Sequence, residues 1–343
     1  MSSRLIFTCA RNEGPFLIEW VGYHRAIGFS DVLIFTNDCE DGTDAIAERL
    51  QAMGLARHLR NPGAPGKGPQ WAALRSAALA AELARADWAA HLDLDEFLSI
   101  HHAGGRLDDL LSEDADAIAI PWRFFGSAAK MRFEDQPITE QFTDTGPYPA
   151  PFPRIALMFK SLFRPSAFQK PGVHAPRPAP GAEPRWKNGN GRRLGARFAP
   201  ARSMLAGQDA GNSAAQINHD ALKRAESFLV KTARGLPNKT HLSIDLGYWA
   251  ARNVGGQADE RLADRGWAAA ALAELRQDSV LDALHRTACE WHKQKAEQML
   301  ETEEGLALYG ALAMMGTSRA PVPHEVARIY GAMNRFYGQA RRK

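Results

Sequence analysis

Two aspartates at the end of a short apolar run are the residues best suited to chemistry. The segment His91-Leu-Asp-Leu-Asp-Glu-Phe97 ends a predicted strand. Because strand side chains alternate, Asp93 and Asp95 should share one face. Two carboxylates about 7 Å apart repel each other unless a cation lies near both. Mn²⁺ and Mg²⁺ take oxygen ligands and also bind substrate phosphates. The pair therefore predicts a metal site, and the alternative is an acidic strand end that only meets water.

Polar residues also follow the first two predicted strands. Asn37 and Asp38 come after the second strand and carry groups that can hydrogen-bond a base or a ribose. Arg11 comes after the first strand, beside amides that open a helix and favour an anion. Each segment alone is equally typical of a polar turn with a helix cap. Together they predict one site, because parallel strands end at the same edge of a sheet.

The elements that must position these residues alternate between strand and helix. Strands are predicted over residues 4–8, 32–36, 56–60, 88–94 and 117–122. Helices are predicted over residues 17–27, 42–53, 70–85 and 107–111. Long helical connections between strands imply right-handed crossovers and a mainly parallel sheet covered on both faces. The predicted fold class is therefore α/β.

The character of the chain changes after residue 126. Half of the 20 prolines fall between Pro147 and Pro184. One further strand is predicted over residues 155–163, and helices over 220–235 and from about 242 to the end. Long irregular segments inside an enzyme are often lids or substrate loops. Three parts are predicted: 1–126, 127–235 and a helical C-terminal extension over 236–343.

Composition limits the class of protein. The 343 residues are 45% apolar and 24% charged, the balance of a folded globular chain. Lys plus Arg number 42 against 39 for Asp plus Glu, too even for a nucleic-acid-binding protein. Cys9, Cys39 and Cys289 are predicted to be free thiols. No targeting or transmembrane segment is recognisable, so a cytoplasmic protein is expected, with peripheral contact at the inner face of the cell membrane left open.

Several segments carry a family pattern in combination: Asn12-Glu-Gly-Pro-Phe-Leu-Ile-Glu-Trp20, Thr36-Asn-Asp-Cys-Glu-Asp-Gly-Thr-Asp44 and Leu92-Asp-Leu-Asp-Glu-Phe97. They resemble the family-2-type glycosyltransferases, and more closely the bacterial branch related to the family-92 enzymes. Shorter matches extend the resemblance over about residues 4–235, among them Asn218-His219 and the segment 226–231. Asp220 departs from the pattern, which has an aromatic residue after Asn-His.

The resemblance implies a GT-A (Rossmann-like) fold, a nucleotide-sugar donor, and Mn²⁺ or Mg²⁺ as cofactor. Residues 1–126 would then form the nucleotide-sugar-binding half and 127–235 the acceptor-side half. It also implies that Asp95 binds the metal. The nucleotide would be bound by a set of residues at the strand ends, namely Arg11, Glu13, Asn37, Asp38 and Asp93.

Further candidates follow from the chemistry of the transfer. Breaking a glycosyl–diphosphate bond builds negative charge on the leaving phosphate, which cations stabilise. The candidate cations are Arg75, Lys160 and Arg164, and His174 is a candidate for the metal shell. An inverting transfer also needs a general base. Glu140 is the first choice, and His219 is a candidate to orient the acceptor or to act as an alternative base. The competing carboxylates are Glu134, Asp135 and Asp144.

The expected function is metal-dependent transfer of a sugar, with UDP as the expected carrier, to a hydroxyl of a glycan or lipid-linked saccharide. Two alternatives remain. One is a carbohydrate-binding or nucleotide-sugar-binding protein without turnover. The other is a metal-dependent phosphohydrolase using Asp93 and Asp95. Phosphohydrolases of this type usually carry the Asp-x-Asp motif after the first strand, whereas here it follows the fourth, which disfavours that reading.

Overall fold

The computed structural model describes residues 2–61, 68–102, 104–195, 198, 204–235 and 244–340, with side chains described up to residue 335. Its strands are β1 (Arg4–Ala10), β2 (Asp31–Thr36), β3 (Arg57–Arg60), β4 (Trp88–His91), β5 (Glu96–Ile100), β6 (Ala117–Phe124), β7 (Asp144–Thr145), β8 (Phe159–Phe163), β9 (Trp186–Asn188), β10 (Ala215–His219) and β11 (Gln257–Ala258).

The helices of the first two predicted parts are α1 (Gly14–Ile27), α2 (Thr43–Ala52), α3 (Pro69–Leu74), α4 (Ala77–Leu83), α5 (Leu107–Leu110), α6 (Ile138–Gln141) and α7 (Ala225–Arg234). Those of the C-terminal extension are α8 (Leu246–Arg252), α9 (Arg261–Arg265), α10 (Trp267–Leu275), α11 (Ser279–Leu300), α12 (Glu303–Met315) and α13 (Pro323–Ala340). Residues 236–243, where the extension was predicted to begin, lie outside the described residues.

In the described part of the chain, a nine-stranded sheet forms the centre of the fold. Its order is β3-β2-β1-β4-β8-β6-β10-β5, and β9 pairs with the first residues of β6. Five of its pairings are parallel, and three are antiparallel because β8 and β5 run against their neighbours. The predicted α/β class, with a mainly parallel sheet between helices, is confirmed.

Alternating side chains of the central strands fill two separate layers. Ile6 of β1 and Ile34 of β2 pack in the layer that contains α1 and α2. Leu5 and Leu33 point the other way, into the layer beneath α3 and α4. Both layers are buried, as expected for strands of a parallel sheet covered on both faces.

The C-terminal extension packs directly on α1. A methyl group placed on Gly22 would lie 2.8 Å from Cβ of Ala271 in α10, and one on Gly14 would lie 2.7 Å from Cβ of Ala288 in α11. Only glycine allows the helices to approach so closely. The extension therefore covers the α1 face of the sheet. No helix in the described part of the chain has both the length and the apolar character needed to cross a bilayer.

Several predicted bounds differ from the structure. The strand predicted over 88–94 ends at His91, and the chain turns back to form β5, which was not predicted. The helix predicted over 70–85 is two helices, because the Ser76 hydroxyl accepts a hydrogen bond from the amide of Leu79 and starts α4 anew. The strand predicted over 155–163 begins only at Phe159 and lies between β4 and β6. β9 and β10 were not predicted as strands.

Candidate functional site

The segment that carries Asp93 and Asp95 is a tight turn, not an extended strand. The amide of Glu96 donates to the carbonyl of Asp93 over 3.0 Å, and the Glu96 carboxylate accepts the amide of Asp93 over 2.9 Å. This turn reverses the chain between β4 and β5. The expectation that strand alternation places both aspartates on one face is therefore wrong, and the two carboxylates have different partners.

Asp93 is held by Lys160 of β8 and Gln70 of α3. Its carboxylate oxygens lie 3.0 Å from the Lys160 ammonium and 3.0 Å from the Gln70 amide nitrogen. Lys160 also lies 3.1 Å from Glu96, which is fully buried. Burial raises the pKa of Glu96 to about 8 although Lys160 pulls it down. Burial opposes ionisation of Asp93 as well, but Lys160 and His91 keep its pKa below the ordinary value.

Asp95 is buried between α7 and the end of β10. One carboxylate oxygen lies 2.9 Å from the ammonium of Lys231, and the other lies 3.6 Å from Nε2 of His219. Burial disfavours the charged carboxylate, yet Lys231 and His219 hold the pKa of Asp95 well below its usual range. Burial lowers the pKa of His219, and Nδ1 of this ring has no hydrogen-bond partner among the described residues.

The loop after β1 reaches the same place through α7. Arg234 lies 2.8 Å from the carboxylate of Glu13 and donates 3.0 Å to the carbonyl of Arg11. Lys231 and Arg234 are three residues apart, so both cations lie on one face of α7. The ends of β1 and β4 are thus joined to one helix by ion pairs, and the segment after β10 is joined to it by a hydrogen bond from Lys231 to the carbonyl of Ala221.

Asn37 and Asp38 lie at the end of β2, beside the loop after β1. The amide of Asn37 donates 3.3 Å to the carbonyl of Ala10, and the side-chain nitrogen of Asn37 donates 3.3 Å to Asp38. Asn12 accepts the amide of Glu40 over 2.8 Å and so links the two loops. Within the described residues, no hydrogen bond or ion pair joins Asn37 or Asp38 to Asp95.

Two predicted phosphate partners lie elsewhere. Arg164 follows β8 at the opposite edge of the sheet, because β8 runs antiparallel to β4, and it donates to the carbonyls of Ala115 and Ser112. Arg75 is exposed at the end of α3, over the ring of Trp71 and on a groove of about 820 Å³. It is Gln70 of the same helix that contacts Asp93. The structure does not bring either arginine to Asp95.

His174 lies beside the site but is held by the backbone. Its Nδ1 lies 3.0 Å from the carbonyl of Phe159, and its ring packs edge-on against Trp122, which also stacks on His219. Burial, together with Lys160, lowers the pKa of His174 to about 3, so the ring is neutral at ordinary pH.

Among the candidate bases, Glu140 is exposed on α6, and its carboxylate makes no hydrogen bond or ion pair with any described residue. The three competing carboxylates all have structural partners. Glu134 pairs with Arg224, Asp135 with Arg276 and His285, and Asp144 accepts the amide of Gly256.

Sequence reasoning gave no role to several residues that the structure brings to this site, namely Gln70, Glu96, Asp220, Lys223, Lys231 and Arg234. Lys231 lies in the segment 226–231 that carries part of the family resemblance. The signal that could have found the cations is Lys223 just after a polar strand end, followed by Lys231 and Arg234 on the next helix. The contact between Glu96 and Lys160 had no such signal, since it depends on the unpredicted turn.

Asp95 and His219 fit a divalent cation. Their nearest ligand atoms are 3.6 Å apart, and both side chains are buried. A carboxylate and one more protein ligand suffice when phosphates and water supply the rest. A group of three possible ligands, Asp135, His285 and Cys289, lies away from this site.

Comparisons with known proteins point to one class. No protein-family model matches the chain. The chain is 29% identical to a glycosyltransferase family 92 protein of Ricinus communis over 146 residues, covering 40% of the chain and 25% of that protein. It is 31% identical to a glycosyltransferase family 92 protein of Oryza sativa subsp. japonica over 112 residues, covering 32% of the chain and 18% of that protein. The matched segment thus spans a quarter or less of these relatives.

Solved structures of the S. aureus protein TarS show a weaker likeness. One shares 15% identity over 48% of this chain and 29% of that chain, with a TM-score of 0.31. TarS 1–349 shares 11% identity over 87% of this chain and 91% of that chain, with a TM-score of 0.34. Similarity at these scores supports no conclusion about the fold or the activity.

Proposed function

We propose that this protein is a GT-A-type glycosyltransferase that moves a sugar from a nucleoside-diphosphate donor to a hydroxyl group. The observation that carries the proposal is the convergence of the ends of β1 and β4 on the cations of α7, through the pairs Glu13–Arg234 and Asp95–Lys231, with His219 of β10 3.6 Å from Asp95. Ligands of open α/β sheets bind beyond the carboxyl ends of the strands. The local similarity to family 92 glycosyltransferases supports the same class.

For the donor we propose a UDP-sugar. Asn37, Asp38 and Arg11 would contact the nucleotide at the ends of β2 and β1, and Asp93 would accept a ribose hydroxyl. About a third of the Asp93 side chain is exposed, at 34%, so its carboxylate can accept a further hydrogen bond beside Lys160.

Mn²⁺ or Mg²⁺ would be held by Asp95 and His219 and would neutralise charge on the leaving diphosphate. Residues of the chain keep Asp95 and His219 in the protonation states that bind a metal ion. Lys231 keeps Asp95 ionised, and burial keeps His219 neutral, which is the form that binds metals. His174 remains a second candidate for the metal shell, since Nδ1 faces a carbonyl and Nε2 is left for another partner.

For the acceptor we propose a hydroxyl of a glycan or lipid-linked saccharide, and inverting transfer. Glu140 remains the proposed general base, because no described residue occupies its carboxylate. Asp220 is nearer to Asp95 but is unsuited to this role. Burial raises the pKa of Asp220 well above the ordinary value, which opposes the ionised form that a general base needs. Replacing Glu140 by Gln should abolish transfer while sparing donor binding.

The donor class is tested by thermal shift against UDP-, GDP-, CMP- and dTDP-sugars, with and without Mn²⁺. A ligand that binds only the folded state raises Tm. We expect UDP-sugars to raise Tm, and to do so more with Mn²⁺. Tm unchanged with every donor would refute nucleotide-sugar binding. Hydrolysis of a sugar phosphate faster than of any nucleotide sugar would favour a phosphohydrolase instead.

Asp95→Asn tests the site itself. We expect kcat for donor hydrolysis and transfer to fall by roughly 100-fold or more, because the charge that supports the metal and Lys231 is removed. Asp114→Asn is the matched control, since Asp114 pairs with Lys187 on the surface. Loss of a buried partner can also unfold a protein. The double variant Asp95→Asn/Lys231→Gln leaves neither charge of this pair without its partner, so it should fold. Its far-UV circular dichroism should match that of the unmodified protein. Full activity of Asp95→Asn in Mn²⁺ would show that the metal assignment is wrong.

A further inference from the structure

Lys223 is a buried cation without a partner. It lies in the turn between β10 and α7 and is only 7% exposed. Its ammonium lies 4.4 Å from the centre of the Phe16 ring, and it makes no hydrogen bond or ion pair with any described residue. The neighbouring buried lysines differ, because Lys160 pairs with two carboxylates and Lys231 pairs with Asp95.

The backbone holds Lys223 in this place at a cost. Its φ of +56° lies in the left-handed region, which is unfavourable for a residue with a side chain. The turn is fixed at both ends, because the amide of Asp220 donates 2.8 Å to the carbonyl of Asp95, and the amide of Ala225 donates 3.1 Å to the carbonyl of Lys130. Such conformations persist where the surrounding structure enforces them, often at ligand sites.

The charges around Lys223 do not cancel it. It lines a small cavity of about 20 Å³ with Lys231 and Arg234, which has room for a water molecule or so. The two other cations are already neutralised by Asp95 and Glu13. Among the described residues that line this cavity, Lys223 is therefore the cation without an ion pair.

A largely buried lysine without an ion pair is unfavourable, and burial lowers the pKa of Lys223 although the charges of Asp95 and Glu13 raise it. The ring of Phe16 compensates only part of this cost. An anionic ligand would supply the rest. The site lies at the carboxyl ends of β1 and β4, beside Asp95, where the proposed donor carries its diphosphate.

We infer that Lys223 is a phosphate-binding residue whose ammonium contacts one oxygen of a diphosphate, since the cavity has room for a single oxygen-sized group and not for the whole diphosphate. The identity of the diphosphate as part of a nucleotide sugar rests on the proposed function. During transfer the bond between the sugar carbon and the phosphate oxygen breaks, and its electron pair stays on that oxygen, where Lys223 stabilises the charge. The acceptor oxygen forms the new bond to the carbon, and its proton passes to the base.

The test uses inorganic pyrophosphate as probe and measures its affinity for the full chain by calorimetry, with and without Mn²⁺. Lys223→Met should weaken binding by about 10- to 100-fold, the size expected for a charged hydrogen bond. Lys223→Arg keeps the charge and should recover part of the affinity. Lys130→Met is the matched control, because its ammonium also lies over a phenyl ring, that of Phe142, but donates to the carbonyl of Gln141. We expect Lys130→Met to bind like the unmodified protein.

Thermal unfolding separates this role from a structural one. Without ligand, Lys223→Met should keep or raise Tm, because an uncompensated buried charge is removed. Pyrophosphate should raise the Tm of the unmodified protein but not that of Lys223→Met. The inference is overturned if the unmodified protein does not bind pyrophosphate, or if Lys223→Met binds it equally well. If pyrophosphate binds through Lys223 but no nucleotide sugar is bound or hydrolysed, the proposed function fails and the phosphate site stands.

Discussion

The two ends of strand β8 place cations in very different surroundings. Near its start, Lys160 is 1% exposed and lies 3.0 Å from Asp93 and 3.1 Å from Glu96. Just past its end, Arg164 donates to backbone carbonyls and lies 4.5 Å from the centre of the Trp88 ring. Because β8 runs antiparallel to β4, these ends lie at opposite edges of the sheet.

The two edges differ in how far their charged groups are buried: those near Lys160 are buried at the candidate site, whereas those near Arg164 include pairs in contact with solvent. At the edge with Lys160, burial works against ionisation and shifts the pKa of Glu96 upwards. At the edge with Arg164, Arg185 pairs with Asp116 in contact with solvent, and the hydrogen bonds from Arg185 lower the pKa of Asp116. Buried ionisable groups whose pKa values are shifted by burial and by neighbouring charges are typical of functional sites.

The largest expected effect that would test this comparison is on stability. Lys160→Met leaves Asp93 and Glu96 without their cation, and we expect a loss of about 3–5 kcal/mol in the free energy of unfolding. Arg164→Met removes hydrogen bonds to carbonyls and a cation–π contact, with an expected loss of about 1 kcal/mol. Urea denaturation of both variants measures the difference.

Lys160→Gln is a useful companion, because its amide can still donate to one carboxylate. We expect an intermediate loss for this variant. Equal losses for Lys160→Met and Arg164→Met would mean that the carboxylates near Asp93 do not depend on their cation, and the contrast between the two edges would be lost.

A smaller effect concerns the pH dependence of stability. The pKa of Glu96 is about 8 in the folded state and near 4.5 when unfolded, so between these values the folded state binds the extra proton. The free energy of unfolding should therefore fall as pH rises through this window, by up to about 1.4 kcal/mol per pH unit from this group. Glu96→Gln should lack this contribution. Between pH 6 and pH 8, the difference in the free energy of unfolding between Glu96→Gln and the unmodified protein should therefore shift by about 2 kcal/mol in favour of the variant. Parallel pH profiles in urea denaturation would contradict the assignment.

The sequence predicted which residues follow the strands at the edge with Lys160, but it predicted few of the ion pairs there. The apolar runs that became β1, β2, β4 and β6 carried enough periodicity to place Arg11, Asn37 and Asp95 at strand ends. β10 and β9 were missed because Ala215–His219 has five residues of mixed polarity and Trp186–Asn188 only three. Their pairing depends on β6, a partner distant in sequence.

The partners of the aspartates could not be predicted for the same reason. Lys160 and Lys231 are 67 and 136 residues from the carboxylates that they contact. Arg164 was expected, with Lys160, to supply positive charge beside the diphosphate. A strand separates such neighbours by about 3.3 Å per residue, so four residues span much of the sheet. The direction of β8 then decides which cation reaches the site.

The smallest expected effect lies at the edge away from the site. The guanidinium of Arg185 lies 3.0 Å and 2.8 Å from the two carboxylate oxygens of Asp116, and the Arg185 side chain is 42% exposed. Exposed pairs contribute little, so Arg185→Gln should lower the free energy of unfolding by about 1 kcal/mol or less. Added salt screens the pair and should shrink that loss further. Urea denaturation at low and high salt measures both. A loss as large as that of Lys160→Met would mean that exposure does not distinguish the two edges. The exposed pair of Arg185 and Asp116 would then stabilise the fold as strongly as the buried contacts of Lys160.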